Sequence, residues 1–267
     1  MPEFSAKDVQ RLRQVSGAGM MDAKRALTEC DGDFEAAIRW LREKGLGKAS
    51  ERSGRENVQG AVAVATADRA AALVDLKCET DFVAKSPDFV KLAEEIAAQV
   101  AADGEAAATK RADAIDDLRI KLKENIELGQ VARFEAPPGH VIDTYLHVQS
   151  GRGVNGVLVE LESGTPELAH DVAVHIAFGR PRHVTREEVP ASEVEEERAS
   201  LEAETRNEGK PDAAVPKIVD GRLNGWYKRV PGGVLVEQPY ARDDKRTVKQ
   251  VLGDAKVVRF AQAVIGA

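Results

Sequence analysis

What most constrains this chain is the order of its apolar runs: twice, two strand-like segments are followed by a helix. Segments 58–66 and 70–77 precede a helix after Pro87, in which Phe89, Leu92, Ile96 and Val100 share one stripe. Segments 140–148 and 156–162 precede a helix over 166–178. Leu73-Val74-Asp75-Leu76 in the first unit resembles Leu158-Val159-Glu160-Leu161 in the second, which suggests a degenerate internal duplication. The pattern predicts an α+β protein with two β-β-α units. A further strand-like run, 256–265, is expected to return to the sheet after a turn-plus-helix segment over 239–255.

The flanking segments are helical. Ser5-Ala6-Lys7-Asp8 reads as a capping box followed by Val9 and Leu12, and Ser16-Gly17-Ala18-Gly19 ends that helix. A second helix from about Met21 aligns Ala23, Ala26, Leu27 and Cys30. Asp33 then caps a third, with Phe34, Ala37, Ile38 and Leu41 at helical spacing and a stop at Gly45. The expected organisation is a three-helix bundle over 1–45, a polar linker over 46–57, a first core half over 58–138 and a second over 139–267. Residues 101–108, Ala-rich around Gly104, read as a mobile connection. Within the second half, about 190–226 is helical and acidic, broken at Gly209-Lys210-Pro211, which predicts an antiparallel helical hairpin.

Composition narrows the function. In 267 residues the formal net charge is −7 and the pI near 5.4, without the basic footprint a nonspecific nucleic-acid binder needs. Cys30 and Cys78 lack metal or redox spacing and read as free thiols of a reducing cytosol. Met1-Pro2-Glu3-Phe4-Ser5 has no leader pattern and no segment is apolar enough to span a bilayer, so a cytoplasmic protein is expected. Gly45-Leu46-Gly47-Lys48-Ala49-Ser50 fails the phosphate-loop spacing at Arg42 and Ala49. The five histidines make no helical zinc pair, and no nucleophile elbow occurs. No metal, cofactor or enzymatic reaction is predicted.

Two features resist a purely structural reading. Met20 and Met21 would ordinarily fill core gaps, but neighbours on a helix cannot both face inward, so at least one is exposed. Cys78-Glu79-Thr80-Asp81-Phe82-Val83-Ala84-Lys85 ends a strand with a cap residue, an acid and a large aromatic. On the residues alone, Asp81 favours a helix N-terminus and Phe82 enters the core, as large aromatics usually do. The alternative is a projecting probe that disturbs a metal or phosphate site on a partner.

Several stretches together resemble bacterial elongation factor Ts. They are Leu12-Arg13, Ser16-Gly17-Ala18-Gly19-Met20-Met21-Asp22, Cys78 through Lys85, Tyr145-Leu146-His147, Gly156-Val157-Leu158-Val159, Lys217-Ile218-Val219-Asp220-Gly221-Arg222 and Glu237-Gln238-Pro239-Tyr240. They occur in family order over nearly the whole chain. The resemblance implies a three-helix bundle similar to ubiquitin-associated domains, a two-part α+β core with antiparallel sheets and an inserted coiled-coil hairpin. It further implies nucleotide exchange on the GTPase elongation factor Tu, without nucleic-acid or membrane contact. Arg13, Met20 and Met21 would meet the partner's nucleotide-binding domain. Thr80, Asp81, Phe82 and Val83 would form a tip beside its Mg²⁺ and phosphates, and His147 would touch another of its domains. After His147 the chain departs from the family pattern, since 148–155 replaces a shorter, more basic segment. The hairpin leaves room for a higher complex. An adaptor whose bundle binds some other chain is the alternative.

Overall fold

The computed structural model describes residues 4–266. Met1-Pro2-Glu3, on which the leader reading partly rests, Ala267 and the side chain of Lys48, in the fragment weighed as a phosphate loop, lie outside the described residues. The fold is mixed α+β with antiparallel sheets.

Helices α1 (Ala6–Ser16), α2 (Met20–Glu29) and α3 (Phe34–Ser50) pack around Leu12, Ala23, Ala26, Leu27 and Ala37. The Ser5–Asp8 capping box opens α1, Gly17 at φ 66° closes it, and the Asp33 side chain caps α3. Here the structure differs from the expectation of a stop at Gly45, because α3 continues through Gly45 and Gly47 to Ser50. The glycine serves close approach instead: a Cβ at residue 45 would lie 2.8–3.0 Å from the Ile120 side chain. The bundle is thus seated directly on the core, with α3 as a stiff arm.

Strands β1 (Gln59–Ala67) and β2 (Ala70–Cys78) form a hairpin, and β2 leads into the four-residue helix α4 (Asp81–Ala84) and then α5 (Pro87–Asp103). A 3₁₀ segment, Glu105–Arg111, joins α5 to α6 (Ala112–Leu122). Residues 101–108 are therefore not a mobile connection: Ala101, Ala107 and Ala108 are buried, and small side chains are what let this segment lie close against its neighbours. Strand β3 (Glu127–Glu135) then pairs with β2.

The second unit repeats the plan. Strands β4 (His140–Gln149) and β5 (Arg152–Glu162) form a hairpin, with Ser150 at φ 54° and Gly151 at φ 79° as the two-residue turn. Helix α7 (Pro166–Gly179) follows, then the hairpin of α8 (Ala191–Asn207) and α9 (Val215–Tyr227). A small ribbon of β6 (Pro239–Tyr240) and β7 (Asp243–Thr247), helix α10 (Val248–Leu252) and strand β8 (Lys256–Val264) follow.

The two halves are β3-β2-β1 and β4-β5-β8, each with its second strand in the centre, and they form one six-stranded antiparallel sheet. They meet through β1 and β5 at the pairing of Val62 with Gly153. Each half has its own helix-covered core, around Phe89 and Ile96 in one and Ile176 and Leu235 in the other. A third cluster between the sheet halves joins Val62 and Leu73 to Leu158 and Ala263. The α8–α9 hairpin buries Val215, Val219 and Leu223, and its outer faces carry the ion pairs Arg198–Asp220 and Arg222–Glu208.

Candidate partner-binding site

The strand-to-helix junction after β2 is built from its buried end outward. Cys78 is completely buried, and its thiol is pushed up to about 12, first by burial and then by the nearby Glu124 charge. It is an inert anchor. Two residues on, Thr80 caps α4: its hydroxyl accepts the Val83 N–H at 3.3 Å and donates to Glu124 Oε1 at 2.5 Å. Glu124 Oε2 also accepts the backbone N–H groups of Glu79 (3.0 Å) and Thr80 (3.1 Å). In return, Glu79 Oε1 accepts the Asn125 N–H at 2.7 Å.

Helix α4 turns Ala84 fully inward and packs Val83 partly against the first core. With side chains about 100° apart on a helix, Phe82 then points outward, and it is 83% exposed. Burying a phenylalanine is worth roughly 1.5–3 kcal/mol, and the fold forgoes that here while Phe89, seven residues later, is completely buried. Asp81 accepts from Lys85 Nζ at 2.6 Å, and this hydrogen bond is the main cause holding its carboxyl below the usual aspartate range. The tip therefore shows solvent a bare aromatic ring beside an acid that stays ionised.

The other sequence-derived residues lie on two further segments and do not converge with the tip on one pocket. Arg13 is exposed near the end of α1, and Met20 and Met21, at the start of α2, are 50% and 68% exposed. Neither methionine fills the core. Together with exposed Val15 they flank the α1–α2 turn, beside a cleft of about 590 Å³ lined by Trp40, Arg42, Ile120 and Lys121. His147 is exposed on β4 opposite Asn155, at a bulge that precedes exposed Val148. In the divergent segment 148–155, Arg152 is buried and donates to Gly60 O (2.6 Å) and Gln59 Oε1 (3.0 Å), so the second half's hairpin braces β1.

The residue reading missed Lys85, Glu124, Asn125 and Arg152. Lys85 had a local signal, the i,i+4 spacing from Asp81. Glu124, 44 residues from Thr80, had none. Among the described residues no three His, Cys, Asp or Glu side chains gather as a metal site, and no helix is long and apolar enough to cross a membrane.

A mixed α+β chain with a rigidly supported, solvent-facing tip has the form of a protein that works through a surface it presents. Comparison with known proteins gives that form a family. The profile of the family described as Elongation factor TS matches residues 79–267, beginning at the residue that Glu124 grips. Proteins named elongation factor Ts from Acidothermus cellulolyticus and Nocardioides sp. are each 44% identical, over 280 and 281 residues, covering 100% of this chain and 99% and 100% of theirs. One from Clavibacter michiganensis subsp. michiganensis is 43% identical over 282 residues, covering all of both chains. The chain belongs to the elongation factor Ts family and is thereby a translation elongation factor.

Proposed function

We propose that this protein is a guanine-nucleotide exchange factor for elongation factor Tu: it binds the GDP-bound GTPase, disturbs its Mg²⁺ and phosphate site, and so promotes GDP release. The observation that carries this reading is the exposure of Phe82, at 83%, on a junction fastened by Glu124, within a chain of the elongation factor Ts family. In the proposed complex the bundle, similar to ubiquitin-associated domains, grips the nucleotide-binding domain through Arg13, Met20 and Met21. His147 engages a second domain. The tip of Thr80, Asp81, Phe82 and Val83 enters beside the metal.

No covalent chemistry is involved. Magnesium offsets phosphate charge, so a ring wedged against the surrounding helices and a carboxylate near the ligands weaken nucleotide binding by moving those ligands. Coupling is reciprocal: the affinity for nucleotide lost when the factor binds equals the affinity for the factor lost when nucleotide binds. GTP therefore expels it.

Stopped-flow release of a fluorescent GDP from the GTPase tests the reading. The double variant Asp81→Ala, Phe82→Ala should fold normally and slow release at least tenfold, on the order expected when a positioned contact is lost. Release at the wild-type rate would sink the proposal.

A further inference from the structure

The exposed tip raises the question of what keeps it aimed. Glu124 and Asn125 follow Lys123, whose φ of 60° turns the chain out of α6 and back toward the end of β2. Among the described residues, the hydrogen bonds of the Glu124 carboxylate run to the root of the tip: the Glu79 and Thr80 N–H groups at 3.0 and 3.1 Å and the Thr80 hydroxyl at 2.5 Å. Asn125 faces the other way. Its backbone holds Glu79 Oε1 at 2.7 Å, while its buried side chain donates to Arg55 O at 2.9 Å and Ser53 O at 3.4 Å, in the segment that follows α3. Arg55 and Glu79 close the loop at 3.5 Å.

Two segments distant in sequence thus meet at Glu124 and Asn125: the tether of the bundle at 53–55, and the root of the tip at 79–80, directly after β2. Carboxylate acceptors make the stronger hydrogen bonds, and three of them on adjacent groups fix the direction in which Asp81 and Phe82 leave the sheet. We propose that the Glu124–Asn125 turn is the positioning hub of the exchange tip. Glu124 acts as a positioning residue that touches no nucleotide and no metal, and Asn125 ties its orientation to the bundle's tether. This inference rests on the exchange reading above.

The test uses the full-length protein and the same fluorescent-GDP assay, with factor concentration varied. Glu124→Ala should lower the maximal release rate about tenfold and leave the half-saturating concentration within about twofold, since the bundle and His147 surfaces are intact. Glu124→Gln, which keeps an acceptor in place, should recover part of the rate and guards against a folding defect. In the Asp81→Ala, Phe82→Ala background, Glu124→Ala should slow release no further, because residues acting through one another are non-additive. Hydrogen exchange over residues 79–85 should quicken in Glu124→Ala. A slow tip variant beside a Glu124→Ala protein of normal rate would overturn this inference alone, as would an equal slowing by Glu124→Ala in both backgrounds. An unchanged rate in the tip variant itself would overturn the exchange reading and this inference with it.

Discussion

The two halves of the core share a plan and differ at one point. An offset of 85 residues superimposes Leu73-Val74-Asp75-Leu76 on Leu158-Val159-Glu160-Leu161 and, without a gap, the helix cap Thr80 on Thr165. Both threonines accept an N–H three residues on, from Val83 at 3.3 Å and Leu168 at 3.2 Å. In the second half, Pro166 opens the long helix α7 at once. In the first, a four-residue helix stands between the cap and α5, which begins only at Pro87. That extra turn carries Phe82 where the second half has Glu167. A projecting tip is thus made from an ordinary helix start by inserting one turn between cap and helix.

The repeated acids diverge as well. Both are buried and both adjoin a bulge. Glu160 is satisfied on both oxygens, by His140 Nδ1 and Arg259 Nε at 2.7 Å each. Asp75 has an oxygen without a partner among the described residues, and burial raises its pKa above the ordinary 3.8, opposed by Lys77 and by the Gln130 N–H. Substitution should separate them in sign. Glu160→Gln, breaking two charge-assisted bonds, is expected to cost about 2 kcal/mol by urea denaturation. Asp75→Asn should instead gain about 1 kcal/mol at pH 7, by removing a buried charge. The sign follows from linkage: the folded state holds its proton more tightly than the unfolded state. The wild-type aspartate therefore favours folding fully only below pH 3.8, and loses that contribution as pH rises through the folded value. The gain on substitution should vanish in acid, and a loss for both variants would break the contrast.

The caps sharpen the comparison further. Thr80→Ala and Thr165→Ala should each cost about 1 kcal/mol of stability, the usual effect of deleting a cap. Only Thr80→Ala should slow GDP release; equal slowing by both would erase the distinction between the halves. The smallest effect is expected at the tip. Phe82→Ala should change the denaturation midpoint by less than about 0.5 kcal/mol, as an exposed site does, and a larger loss would place the ring in the fold's packing.

Much of this architecture was legible because its signals are local. The Ser5 and Asp33 caps, the stripe ending at Val100 and the hairpin break at Gly209-Lys210-Pro211 follow from spacing and turn chemistry. The acid and aromatic at 81–82 stood out because a strand had just ended. Segments 101–108 and 45–50 misled for one shared reason: small residues mark either freedom or close packing, and only the neighbour decides. At residue 45 that neighbour is Ile120, and for Ala107 and Ala108 it is the rest of the first half. The Glu124 clamp had no local signal, since a glutamate after a helix is ordinary until the partner 44 residues away is known.

The unbroken arm of α3 also bears on how the two proposed surfaces add. A bundle hung on a loose chain would sample many orientations, and a partner captured there would find the tip only by search. Because α3 runs helical to Ser50 and Gly45 seats it against Ile120, a partner held at the α1–α2 turn in the proposed complex would meet the tip at a high effective concentration. A side chain at residue 45 would act as a wedge, dispersing that concentration without touching either surface.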